Sequence, residues 1–220
     1  MKTIKNREDR ILQNNLSDSI LTSPTALCAE KHKNLGLLQV TNQAELPTHA
    51  FLPIALFELA EAVRLHPVFF IGDTTITPVV ITGISAHQQI IYQPVINRLY
   101  PFSLRKLNNE NAGAIIFDNS CPRLTSCKEN KSAIPLFDNT GNPSVLLRLI
   151  TNTAVQHYAG QQQAEIFAIA LKEAGALTVS QLEFTSAVAE QKKTHRFYML
   201  NEKAYRNLPA DTVHDWFKKG

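Results

Sequence analysis

The chain has 220 residues, 44% of them hydrophobic and 19% charged, and a formal net charge of +3. A chain of this length buries roughly 70% of the surface its unfolded form exposes, and its composition excludes an intrinsically disordered protein. The basic residues are scattered in small groups, such as Lys31 and Lys33, Arg105 and Lys106, and Lys218 and Lys219, which excludes the concentrated basic stripe of a dedicated nucleic-acid binder.

Residues 1–26 read as a polar N-terminal tail and 27–220 as one α+β domain. The segment Leu27 to Asn34 is helical or turn-like, and Leu37–Val40 is a short strand candidate. Over Pro53–Leu65 the apolar residues Leu56, Leu59, Ala60 and Val63 follow a 3.6 period, which predicts a helix that His66-Pro67 ends. Val68–Ile71 and Pro78–Gly83 flank a short turn and predict an antiparallel hairpin. Ile90–Ile96 and Ala114–Phe117 are further strand candidates, and Cys121–Ser132 is a polar loop.

Phe117-Asp118-Asn119 is echoed at Phe137-Asp138-Asn139, which we read as shared turn chemistry, because Asp and Asn bond their own nearby backbone. Asn142-Pro143-Ser144 reads as an N-cap at Asn142 with proline at the first helical position, opening a long helical segment at about 143–174, which Gly160 interrupts and Gly175 terminates. Strands over Glu183–Val188 and Arg196–Leu200 follow, then a short helix capped by Asn201 and a last one over Ala210–Lys219. Strand runs and helix runs are segregated, so the predicted class is α+β with a mostly antiparallel sheet, hairpins and short C-terminal helices.

The eight glycines are spread singly, and a phosphate-cradling loop needs several within a few residues, so neither a P-loop nor a dinucleotide fingerprint is present. The seven histidines are too far apart for a local zinc motif, and no metal or other cofactor is expected. Of the cysteines at 28, 121 and 127, one is left over in any disulfide scheme, so free thiols are the simplest account. Cys121 has Arg123 nearby but no adjacent base, and no catalytic residue is assigned.

The N-terminal charges have no apolar stretch behind them, which reads as no secretory signal and a cytoplasmic protein. The most apolar run, Ala50–Phe57, falls far short of the about 20 residues of a membrane span. Glu58 interrupts that run, which makes it either a partly buried functional carboxylate or a helix-capping one. The segment from Tyr92 through Arg98, Tyr100, Pro101 and Phe102 concentrates the residue types enriched in binding hot spots. It also reads as a strand end packed on the core, and its Tyr100-Pro101 bond is of the X–Pro kind that adopts cis.

At this segment the chain resembles the SapC family. Tyr92-Gln-Pro94 followed by Arg98-Leu99-Tyr100-Pro101-Phe102 is similar to the family's hallmark, with Leu99 in place of a second arginine. Leu27, Glu30, His32 and Leu35 resemble its opening turn, and Phe51-Leu-Pro53, Glu58 and His66-Pro67-Val68-Phe69-Phe70 its next block. Pro135-Leu-Phe-Asp138, Gly141-Asn-Pro-Ser144 and Tyr198 to Leu208 resemble later blocks in the same order. The resemblance implies a link to surface-layer or peptide handling.

The leading expectation is a non-enzymatic binding or accessory protein with a protein or peptide partner, using Arg98, Tyr100, Pro101, Phe102, Tyr92, Glu58 and His32. The alternatives are an enzyme site assembled in space around Glu58, His32 and Arg98, and a structural surface-layer component.

Overall fold

The computed structural model describes residues 20–40, 49, 51–81, 92–106, 113–185 and 192–219. In chain order these form β1 (Pro24–Ala26), α1 (Ala29–His32), β2 (Leu35–Leu37), β3 (Phe51–Pro53), a 3₁₀ turn (Leu56–Glu58) and α2 (Leu59–Leu65). Then come β4 (Val68–Ile71), β5 (Thr77–Ile81), α3 (Val95–Leu99), β6 (Phe102–Lys106), β7 (Gly113–Asp118), β8 (Leu124–Ser126) and β9 (Ile134–Pro135). The chain continues through α4 (Val145–Glu173), β10 (Leu177–Thr185), β11 (Lys192–Leu200), α5 (Glu202–Arg206) and α6 (Ala210–Lys219).

The strands make three sheets, ordered β1-β7-β6, β10-β11-β4-β5-β3 and β8-β2-β9, and every pairing is antiparallel. The class is α+β, as the segregated pattern predicts, and the hairpin is β4–β5 with Val68 opposite Val80. Helix α4 is the spine. Its buried residues Leu147, Ile150, Ala154, His157, Gln161, Ala164, Ala168 and Leu171 recur at alternating steps of three and four, a narrow inward stripe. The first part of the stripe packs with Phe102, Phe117 and Leu136, and the last part with Phe70, Ile76 and Tyr198. Between these two cores the stripe turns polar, at His157 and Gln161.

Several expectations are corrected. Pro24–Ala26, read as part of the polar tail, is an edge strand on β7, and Ile20 and Leu21 beside it are buried. Residues 1–19 lie outside the described residues. The strand expected at Leu37–Val40 runs instead over Leu35–Leu37, where Gly36 and its neighbours find partners on both β8 and β9. The predicted helix Pro53–Leu65 starts only at Leu59, because Phe51–Pro53 pairs with β5 and the chain then makes a 3₁₀ turn. Its inward residue is Ala62, while Val63 is 55% exposed, so the true stripe is Leu59, Ala62 and Leu65.

Ile90–Ile96 is not a strand where it is described. Pro94 caps α3, which already includes Val95 and Ile96; Ile90 and Ile91, like Thr82 and Gly83 of the hairpin and residues 186–188 of a C-terminal strand, lie outside the described residues. The loop after Cys121 holds the short β8. The cap of α4 is Ser144, whose hydroxyl accepts from Leu147 N–H, rather than Asn142. At the other end the expectation holds: Gly175 is left-handed at φ +69°, its N–H reaches Lys172 O, and Ala176 N–H reaches Leu171 O, which is a Schellman ending. Asn201 accepts from Ala204 N–H and caps α5 as read.

Gly160 does not interrupt α4. A Cβ there would lie 2.7 Å from the Phe57 ring and 2.8 Å from Ala55 Cβ, so glycine lets the 3₁₀ turn rest directly on the helix. In an exposed helix interior, replacing glycine by alanine adds about 1 kcal/mol. Here Gly160→Ala is expected to lower unfolding free energy by about 1–3 kcal/mol through overpacking, with helical circular dichroism retained. Urea unfolding that shows a gain in stability would refute the close approach.

Candidate functional site

Glu58 is 3% exposed at the end of the 3₁₀ turn, and both its oxygens are occupied. Oε2 accepts from the N–H of Ala55, three residues back, at 2.9 Å. Oε1 accepts from the Tyr92 hydroxyl at 2.6 Å and from Val95 N–H, in the first turn of α3, at 2.7 Å. Burial and then the hydrogen bond to Glu58 push the Tyr92 hydroxyl well above its ordinary range, so Tyr92 is a permanent donor here.

His157 of α4 approaches Glu58 Oε2 at 3.6 Å through Nε2, which is buried and makes no hydrogen bond. Burial, and then the charge of Arg98, pull the His157 ring down to about 4. His157 is therefore neutral at physiological pH, despite the carboxylate beside it. Its ring also borders a small cleft between α3, β6 and α4, walled by Ile96, Leu99, Phe102 and Leu104 with Ser103 and Gln161 among the polar groups.

A second buried carboxylate closes the far end of the same segment. Asp118, wholly buried at the end of β7, accepts from Thr22 N–H at 2.8 Å, Ser23 N–H at 3.0 Å, and Ser120 through N–H at 3.0 Å and Oγ at 2.6 Å. The Tyr100 hydroxyl adds a longer bond at 3.3 Å. Burial pushes the Asp118 carboxyl up, but the bonds from Ser120, Thr22 and Ser23 outweigh it and hold it below the ordinary range. Tyr100-Pro101 is cis, Asp118 N–H donates to Pro101 O, and the buried Arg123 donates to Tyr100 O.

The expected site residues are thus divided. Glu58 and Tyr92 touch, and Arg98, exposed on α3, acts on His157 and Tyr92 through its charge. Tyr100 is bound to the second carboxylate, and Pro101 and Phe102 are core residues. His32 has other neighbours: its Nδ1 accepts from Cys28 N–H and its ring meets Phe117 edge-on, with centroids 5.1 Å apart. Nothing places it against Glu58 or Arg98 in an assembled site.

Asp118, Arg123, His157 and Gly160 were missed by sequence reasoning. Only Asp118 had a signal, the Phe-Asp-Asn echo, and Asp138 shows what that echo gives alone: an exposed turn in which Oδ1 accepts from Thr140 and Asn142. Among the described residues no three metal-ligating side chains cluster, and no helix is long and apolar enough to cross a membrane. The three cysteines are free.

These features define an α+β protein in which two buried carboxylates brace one Tyr/Arg/Pro-rich segment. Residues 27–220 match the SapC family model, and the chain belongs to the SapC family. No curated protein and no solved structure matches it.

Two measurements check this geometry. In a double-mutant cycle, Glu58→Gln and Tyr92→Phe should couple by about 1.5–3 kcal/mol, the range for a charge-assisted bond; additive costs would mean that the bond does not form. For His157 the fold binds the proton less tightly than the unfolded chain, whose histidine titrates near 6.5. Its stability contribution is complete above pH 6.5 and is lost as pH falls towards 4. Denaturant unfolding of wild type relative to His157→Gln should show a loss of up to about 3 kcal/mol across that window. A pH-independent difference would contradict a neutral buried ring.

Proposed function

We propose that the chain is a non-enzymatic binding or accessory protein that engages a protein or peptide partner, in surface-layer or peptide-handling processes. The observation that carries this reading is the outward face of α6. Trp216 anchors that helix on Phe167 of α4, with ring centroids 6.2 Å apart, whereas Val213 and Phe217, one turn apart, point away from the core. Phe217 is 86% exposed, and Ile166, next to the anchoring Phe167, is 69% exposed. Large apolar side chains on one helix at a four-residue spacing suit helix-and-groove recognition of another polypeptide.

The carboxylates favour the same reading. A general base needs a free lone pair aimed at substrate, and Glu58 and Asp118 direct theirs to structural donors.

A second reading, an enzyme, has one observation in its favour: His157 borders the cleft with an uncommitted Nε2. The two readings separate experimentally. Affinity capture from native lysate should recover a reproducible partner with wild type and lose it with the Val213→Ser/Phe217→Ser pair, while His157→Gln captures normally. Identical capture by the Val213→Ser/Phe217→Ser variant and wild type, or no partner at all, would overturn the binding reading.

A further inference from the structure

Among the described residues the three sheets have six edge strands, and five of them are guarded. β1, β3 and β9 are two or three residues long and each contains a proline, at Pro24, Pro53 and Pro135. β8 is three residues long, and β6 ends in Arg105-Lys106. Short length, proline and basic charge are the devices by which proteins stop exposed edges from pairing.

β10 carries none of them. It runs nine residues, Leu177-Thr-Val-Ser-Gln-Leu-Glu-Phe-Thr185, with no proline, no lysine or arginine and a single charge at Glu183. It pairs with β11 in an unbroken register, Leu177 with Leu200 through Thr185 with Lys192, without a bulge to twist the edge away. Among the described residues β10 stands at the end of its sheet with β11 as its one strand neighbour, and the faces of its first half are solvent-facing, since Thr178, Val179 and Gln181 are exposed.

The outer edge of a terminal strand presents backbone N–H and C=O groups at strand spacing, which are complementary to another extended backbone. We infer that β10 pairs antiparallel with β10 of a second copy of this chain, joining two five-stranded sheets into one across a two-fold axis. The second copy fits because such an interface is self-complementary, and only a register that set Glu183 against itself would stack like charges. This inference is independent of the partner-binding reading, which rests on α6.

Sedimentation velocity on the full chain should give twice the chain mass, falling to the single-chain mass in Val179→Lys/Gln181→Lys, because lysines then face each other across the axis. Mixing that variant with Val179→Glu/Gln181→Glu should restore the doubled mass. Should the lysine variant fail to fold, hydrogen exchange on wild type replaces it: amides of 178–181 should be protected at high protein concentration and exchange rapidly on dilution. A wild type that stays monomeric, a dimer that survives the lysines with its fold intact, or β10 exchange that ignores concentration overturns the inference.

Discussion

Glu58 brings a carboxylate into an interior where an unpaired charge costs several kcal/mol, and three donors converge on it, one from its own turn and two from the segment Tyr92–Val95. Each donor fixes something. Ala55 N–H closes the 3₁₀ turn, Val95 N–H sets where α3 begins, and the Tyr92 hydroxyl holds the chain that leads into it. The arrangement needs α4 close behind, which Gly160 permits, and it presents Glu58 to a neutral His157. From α3 the chain leaves through the cis Tyr100-Pro101 bond into β6, whose partner β7 ends in Asp118, the carboxylate that receives the Tyr100 hydroxyl. The hallmark segment is therefore held at both ends by buried charge.

Much of the fold was legible because it obeys local rules. The β4–β5 hairpin, the Schellman ending at Gly175 and the Asn201 cap each follow from a few neighbouring residues. What was misread depends on distant partners. Gly160 looks like a helix breaker until Ala55 and Phe57 are seen against it. Ile90–Ile96 has strand-like residues, yet Glu58, more than thirty positions away, accepts Val95 N–H and favours the first turn of a helix. On α2 the 3.6 period was right but its phase was not, since Ala62 offers little hydrophobic signal and Val63 a misleading one.

The candidate site was legible as a list of residues and illegible as an arrangement. Tyrosine, arginine and proline mark hot spots because they combine large apolar area with strong hydrogen bonding. The same properties suit them to bracing a core, and Tyr92, Tyr100 and Pro101 are used that way here. Asp118 and Asp138 make the point from the other side. Both sit in a Phe-Asp-Asn turn and accept from a hydroxyl two residues on, yet one is wholly buried and one exposed. The difference is the passage of Thr22 and Ser23 over Asp118, a crossing that no local pattern encodes.

If the motif residues chiefly hold the fold, recognition falls to surfaces that the motif leaves free. Arg98 is the exception that connects the two. It stands exposed on α3, yet its charge reaches the buried His157 and Tyr92 and helps to keep the imidazole neutral. A neutral ring 3.6 Å from Glu58 makes no ion pair, so Glu58 keeps its bonds to the three donors rather than dividing them with a cation. The single charge that this segment shows to solvent thus helps to maintain the buried node beneath it, and the structural and surface roles of the hallmark meet at that one side chain.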